Sequence, residues 1–313
     1  MSSAWEEFYA QTPRPAQYEE NENLLEKFVQ LHAKGSTRVV LVTSGGTTVP
    51  LEHNTVRFVD NFSAGNRGSI SAENFLDHNY AVIFMHRLKS LEPFSRHFAG
   101  HKFLDMLELS NLDNTQSISV APKYVDKVSI ILKKYKEALK DGKLLQLSFT
   151  TLSEYLWLLR SACKALHPLG NQAILYLAAA VSDFYIPSHE MAVHKIPSSG
   201  PPSIHLQLVP KVLAPLVSDW VPNAFVISFK LETDETILIS KARDALNKYN
   251  HSLVIANLLQ TRKEQVTIVS KESVHQLSLS PDQIDKGEEI EESIVAYLVK
   301  KHDSWIEQHK LNS

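Results

Sequence analysis

Arg38-Val-Val-Leu-Val-Thr-Ser-Gly-Gly-Thr47 is the stretch on which the fold turns. A short β-branched run enters two adjacent glycines, and a strand running straight into paired glycines is how an α/β unit opens towards a ligand. Upstream, Glu19 to Lys34 reads as an amphipathic helix through Leu24, Leu25, Phe28, Val29 and Leu31, stopped at Gly35-Ser36. Residues 1–18, with two prolines and mixed polarity, read as an N-terminal arm. Downstream, a second glycine cluster at 61–68 leads into a helix over 69–77, and Tyr80 to His86 is the next strand.

Periodicity is poorer over 87–147, which reads as an elaboration holding a helix at 124–140, a turn at Asp141-Gly142 and a strand at 144–149. The later half alternates clearly. A 3.6-residue apolar stripe marks a helix over 151–167. Strands are expected at 173–180, 204–209, 224–230, 252–256 and 265–270, and helices at 210–218, 234–250 and 288–302. Continuous apolar strands alternating with helices imply a mainly parallel sheet covered on both faces, in an α/β fold. Segments 265–270 and 275–280 read as an antiparallel edge hairpin. At about 150 residues per domain the length allows two domains, but the pattern favours one domain over 1–313.

Composition removes several function classes. Of 313 residues 43% are hydrophobic and 21% charged, and 32 basic against 35 acidic side chains leave a net charge of −3. No polybasic field exists to track a phosphate backbone, so a nucleic-acid partner is not expected. The longest apolar run, Ala173 to Val181, is far short of the ~20 residues of a membrane span. The acidic N-terminus lacks the apolar core of a secretory signal. One cysteine, Cys163, excludes an intrachain disulfide and sits on an apolar helical stripe, as a core residue would. A soluble, cytoplasmic protein is the expectation.

Candidate chemistry collects in loops. Gly45-Gly46 offers a permissive backbone at a strand end, though any tight βα turn uses glycine. Asp60-Asn-Phe-Ser-Ala-Gly-Asn-Arg-Gly68 sets glycines, a hydroxyl, amides and an arginine before a helix, whose N-terminus favours an anion. Arg57 adds a planar cation suited to phosphate, where a mere helix cap is the plainer reading. Ala178-Ala-Ala-Val-Ser-Asp183 leaves room for a ligand against the backbone and puts Asp183 beyond a strand's carboxyl end. Lys195, within the polar 194–200 segment, suits a mobile flap or an ordinary surface. Phe229 suits base stacking or the core, and Asn257 closes the next strand. His189, Glu190 and His194 mimic a zinc-protease motif, but histidines five apart do not share a helix face. Tyr297 and Lys301 mimic a dehydrogenase pair without any glycine fingerprint.

Taken in order, these segments resemble the phosphopantothenoylcysteine synthetase (phosphopantothenate–cysteine ligase) family, in its eukaryotic stand-alone form. The resemblance rests on Val42-Thr-Ser-Gly-Gly-Thr, the 60–68 cluster, Ala178-Ala-Ala-Val-Ser-Asp-Phe, His194-Lys-Ile and Ser228-Phe-Lys-Leu-Glu-Thr-Asp. It implies a Rossmann-like three-layer sandwich that forms a homodimer. It also implies a ligase of coenzyme A biosynthesis joining 4′-phosphopantothenate and L-cysteine through an acyl-adenylate, with ATP and Mg²⁺. Nucleotide phosphates would meet Gly45, Ser63, Gly65 and Gly68, with Phe229 and Asn257 near the nucleotide. Phosphopantothenate would meet Asn61, Ala179, Ala180 and Asp183, and Arg57 is a candidate to reach in from the partner subunit. Asn61 and Lys195 would be the catalytic residues. Ala64 departs from a serine common in relatives, which the backbone amide makes tolerable. The competing readings are an NAD(P)-dependent Rossmann oxidoreductase and a nucleotide-binding scaffold without turnover.

Overall fold

Val39–Ser44 (β1) is buried along its whole length at the centre of an eight-stranded sheet. The structure, a computed structural model, describes residues 3–35, 37–112 and 115–311. The other sheet strands are Ala81–Arg87 (β2), Leu144–Phe149 (β3), Ala173–Leu177 (β4), Phe225–Glu232 (β5), Leu253–Leu258 (β6), Gln265–Val269 (β7) and Val274–Ser278 (β8). They lie in the order β8-β7-β6-β5-β4-β1-β2-β3. β1 to β6 are mutually parallel, and β7 and β8 add an antiparallel edge hairpin, as the sequence led us to expect. The order 3-2-1-4-5-6 reverses direction between β1 and β4, which makes that gap the switch point of a Rossmann-type sheet.

Alternate residues of β1 face opposite layers. Val39 and Leu41 pack with the helices Ala4–Gln11 (α1), Tyr18–Ala33 (α2) and Leu152–Leu166 (α5). Val40 and Val42 pack with Asn66–Asp77 (α3), Val125–Lys140 (α4) and Ile290–Leu311 (α7). Leu238–Tyr249 (α6) covers Val254, Ala256 and Val269. Three layers result. Cys163 is buried on α5, where burial pushes its thiol pKa up. Among the described residues no helix is long and apolar enough to cross a membrane.

Several elements differ from expectation. The N-terminal arm holds α1, begun where Glu6 accepts the Ser3 amide at 2.7 Å. Its Phe8 and Tyr9 are buried, and the Tyr9 hydroxyl donates to the Leu156 carbonyl at 2.8 Å, so this segment belongs to the core. The strand expected at 204–209 shrinks to Gln207–Leu208, paired with Phe184–Tyr185 outside the main sheet. Its apolar alternation is real, but Ile204, Leu206 and Leu208 face outward. The helix expected at 210–218 becomes a turn at Leu213–Pro215 and a wider one at Leu216–Trp220. β4 stops at Leu177 because Ala178 to Ala180 peel away to meet Gly46. Within 87–147, α4 is the ordinary crossover between β2 and β3. The added part is a hairpin, Leu107–Leu112 with Thr115–Val120, and three short 3-10 turns before it.

One ion network ties the added part to the core. Glu73 of α3 accepts from Arg96 Nε at 2.7 Å, the Phe94 amide at 2.7 Å and His97 Nε2 at 3.0 Å, while Arg96 also donates to Glu289 at 2.6 Å. Burial pushes the Glu73 pKa up, but hydrogen bonds from His97 and Arg96 outweigh it and bring it from 4.5 to about 2. A carboxyl depressed on folding adds stability above its unfolded pKa, and that contribution disappears as pH falls through the folded value. Buried His251 and His302, both lowered by burial from 6.5 to about 4, already cost stability as pH falls below 6.5, because only the unfolded chain takes the proton. We therefore expect Glu73→Gln to lose about 3 kcal/mol at pH 7 and to flatten the acid limb below pH 4.5. Urea titrations across pH would contradict this if parent and variant kept the same stability at neutral pH.

Candidate active site at the switch point

Beyond β1 and β4 the two chains stay stitched together. The Ala180 amide donates to the Gly45 carbonyl at 2.8 Å and the Thr47 amide to the Ala180 carbonyl at 3.0 Å. The hydroxyls of Thr43, in β1, and Thr47, past the glycine turn, accept the amides of Ala179 at 3.1 Å and Ser182 at 2.9 Å. A third segment joins them, since the Asn61 amide donates to the Thr47 carbonyl at 3.1 Å. Gly46 is what permits this closeness. A Cβ there would stand 1.6 Å from the Asn61 carbonyl oxygen. The sequence marks the Gly45-Gly46 pair but assigns a ligand contact to Gly45 alone, because the partner that demands a glycine at 46 is distant in the chain.

The second glycine cluster shapes the start of α3. Gly65 is the N-cap of α3 with φ +85°, and no side chain caps that end. Its carbonyl is held by Ser44 Oγ at 3.1 Å and Ser69 Oγ at 2.9 Å, and Ser63 Oγ accepts its amide at 3.4 Å. With no acidic residue in the first turn, the leading amides of α3 keep their affinity for an anion. Gly68 lets α3 lie on β1, since a Cβ would meet the Ser44 side chain at 2.4 Å. Ser90 was missed by sequence reading. Its buried hydroxyl fills the space between the Gly45 and Gly65 turns, 3.2 Å from where either Cβ would be.

Gly45, Asn61, Ser63, Gly65, Gly68, Ala179 and Ala180 are thus gathered at one crevice. Phe229 lies within β5, one residue beyond its last pairing with β4, and Asn257 is next to last in β6. The Phe229 ring meets Tyr176 edge-on at 4.9 Å and is half-buried. The Asn257 amide is committed internally, accepting from Arg67 at 3.2 Å and donating to the Ile255 carbonyl at 3.2 Å. Arg67, one of the cationic groups of the cluster, is tied to Glu291 at 2.8 Å and so braces α3 against α7. Asp183 is exposed and paired with Lys211 at 2.6 Å, a cation that the sequence pattern did not mark. Arg57 donates to Glu52 and to the Ile196 carbonyl, both at 3.1 Å, within its own chain. Lys195 is exposed on the adjoining flap. The crevice offers backbone amides, small walls and fixed amide side chains, which is equipment for positioning.

A parallel sheet of this order, with glycine turns and an uncapped helix at its switch point, defines a Rossmann-type α/β protein, a class whose ligands lie at the strand carboxyl ends. The human phosphopantothenate–cysteine ligase is 47% identical over 301 residues, covering 95% of this chain and 96% of that protein. The chain belongs to the phosphopantothenate–cysteine ligase family. Phosphopantothenate–cysteine ligase CAB2 of Saccharomyces cerevisiae is 42% identical over 327 residues, covering 97% of this chain and 87% of that one. A solved structure of a Cab2 variant in complex with phosphopantothenate-cysteine matches with a TM-score of 0.89 at 41% identity, over 97% of this chain and 99% of that chain. Residues 159–299 match the family model for the DNA/pantothenate metabolism flavoprotein C-terminal domain. These relatives do not favour an NAD(P)-dependent oxidoreductase.

Proposed function

We propose that this chain joins 4′-phosphopantothenate to L-cysteine through an acyl-adenylate, using ATP. The observation that carries this reading is the stitching of Gly46, Asn61 and Ala180 at the switch point, beside the uncapped N-terminus of α3. One feature can seat nucleotide phosphates while the other holds an acyl group against small side chains. A carboxylate oxygen of phosphopantothenate attacks the α-phosphorus of ATP, and the bond to the β-phosphate oxygen breaks, releasing pyrophosphate. The cysteine amine then attacks the acyl carbon, loses a proton and expels AMP. Neither half requires a protein nucleophile, so catalysis lies in orientation and charge stabilisation.

Gly45, Ser63, Gly65 and Gly68 form the phosphate cradle in this reading, with Phe229 and Asn257 walling the nucleotide. Asn61, Ala179, Ala180, Asp183 and Arg57 receive phosphopantothenate. Among the described residues no group of three or more His, Cys, Asp or Glu could hold a metal ion. Mg²⁺ therefore fits as an ion carried on the nucleotide phosphates, a common arrangement for this cation. Val56, Phe58, Val59 and the 89% exposed Phe62 border the site as an apolar strip, which supports a homodimer closing over it.

Incubation with ATP or CTP, Mg²⁺, phosphopantothenate and cysteine tests the reaction. Phosphopantothenate-dependent AMP or CMP is the expected product, and ADP would overturn the adenylate route. Lys195 is assigned to offset negative charge as the adenylate forms. Lys195→Ala should slow pyrophosphate release by about 10²-fold, measured without cysteine, and an unchanged rate would remove that assignment.

A further inference from the structure

Glu52 is completely buried although His53 to Val56 beside it are exposed. A carboxylate taken from water persists only when donors replace the water. Four donors meet this one. Oε2 accepts the amides of Arg57 at 3.0 Å and Val56 at 3.3 Å, and Oε1 accepts Arg57 Nη1 at 3.1 Å and the Ile196 amide at 3.3 Å. Burial pushes the Glu52 pKa up, but the bonds from Arg57, Ile196 and Val56 outweigh it and hold the group below its ordinary value.

Two segments meet at that carboxylate. One is the 51–57 loop carrying Arg57, and the other is the flap, where Ile196 directly follows Lys195. Backbone bonds run beside it, from the His53 amide to Ala192 at 2.8 Å and from the Asn54 amide to Val193 at 3.1 Å. The Arg57 guanidinium closes the triangle on the Ile196 carbonyl at 3.1 Å. The backbone bonds anchor the base of the flap, Asn54 Nδ2 meets His194 Nδ1 at 3.5 Å on one side of Lys195, and Glu52 takes the Ile196 amide on the other.

We infer that Glu52 is a positioning residue for adenylate formation: its buried carboxylate locks Arg57 and the Lys195 segment into one unit and fixes where the ammonium stands. This rests on the role proposed above for Lys195. Glu52→Gln keeps the volume and the flanking backbone bonds but turns an amide NH₂ towards groups that are themselves donors. It should slow pyrophosphate release about 10–100-fold while leaving aminolysis of supplied acyl-adenylate within about threefold.

The test is a double-mutant cycle of Glu52→Gln with Lys195→Ala, read in both half-reactions at saturating phosphopantothenate, so that a displaced Arg57 shows in KM alone, with thermal melts alongside. If Glu52 acts through Lys195, the double variant should form adenylate no more slowly than Lys195→Ala, within about twofold. Multiplicative losses, or equal slowing of both half-reactions by Glu52→Gln, would overturn the inference and leave the Lys195 assignment intact. Unchanged pyrophosphate release in Lys195→Ala would instead remove the assignment itself, and this inference with it. Glu52→Asp, which keeps the charge but shortens its reach, should show the same selective loss in milder form. Failure of both variants to fold would make Glu52 a folding determinant and overturn the positioning role.

Discussion

Gly46→Ala should cost at least about 10²-fold in kcat/KM while the protein still folds. A Cβ at this position would stand 1.6 Å from the Asn61 carbonyl oxygen, a covalent distance, so the backbone itself has to move. Neither side can yield alone. Asn61 is fastened to Thr47, Thr47 to Ala180, and Ala180 back to Gly45, so any shift is shared by the whole crevice. A displacement of about 1 Å in the groups that align acyl carbon and phosphate is enough for a loss of that size. The stability cost should be about 1–3 kcal/mol, as for other overpacked sites. Gly200→Ala is the matched control, because a Cβ there meets no atom within 4 Å. Steady-state kinetics beside circular-dichroism melts decide it, and a Gly46→Ala enzyme within threefold of the parent would mean that the crevice is not the site.

How legible these features were depends on how local their causes are. β1 and its glycines stand in a continuous apolar run, and the 265–278 hairpin alternates at its own period, so both could be read directly. The 204–209 alternation was equally plain, yet periodicity records a two-faced strand without saying which sheet it joins. α1 was obscured because prolines close behind it suggested an irregular arm, while the aromatic residues it buries meet α5, far along the chain. Site residues divide the same way. The uncapped α3 start at Gly65 is a local turn signal. Gly46 and Ser90 owe their importance to atoms brought close only by folding. Arg67 shows the hazard of reading charge alone, since its carboxylate partner lies 224 residues away.

Charge tells a related story. The sequence sets Arg57 and Arg67 in or beside a loop suited to phosphate. In the structure Arg57, Arg67, Arg96 and Lys211 all have carboxylate partners. Those pairs fix loops and helices around the crevice more than they offer free charge to a substrate. Arg96, bidentate to both Glu73 and Glu289, makes a good fastener because the planar fork leaves little freedom once bound. Anion affinity in the proposed cradle then rests on backbone amides, whose positions are set by the glycine turns.

Asn61→Asp should separate the two half-reactions. The Asn61 backbone is fixed through Thr47, so an isosteric side chain keeps the wall beside Ala179 and Ala180 in place. What changes is one donor and one charge. Adenylate formation develops charge at phosphorus, and the acyl carbon remains planar throughout. Attack by cysteine makes that carbon tetrahedral and places negative charge on its oxygen, where an amide N–H stabilises and a carboxylate repels. Loss of one preorganised donor of this kind costs about 10²–10³ in rate. Pyrophosphate release without cysteine should therefore stay close to the parent rate, while acyl-adenylate accumulates when cysteine is present. Asn61→Ala removes the donor without adding charge and should show a smaller block at the same step. Acid-quenched time courses resolve the intermediate, and equal slowing of both half-reactions in Asn61→Asp would remove Asn61 from the oxyanion role.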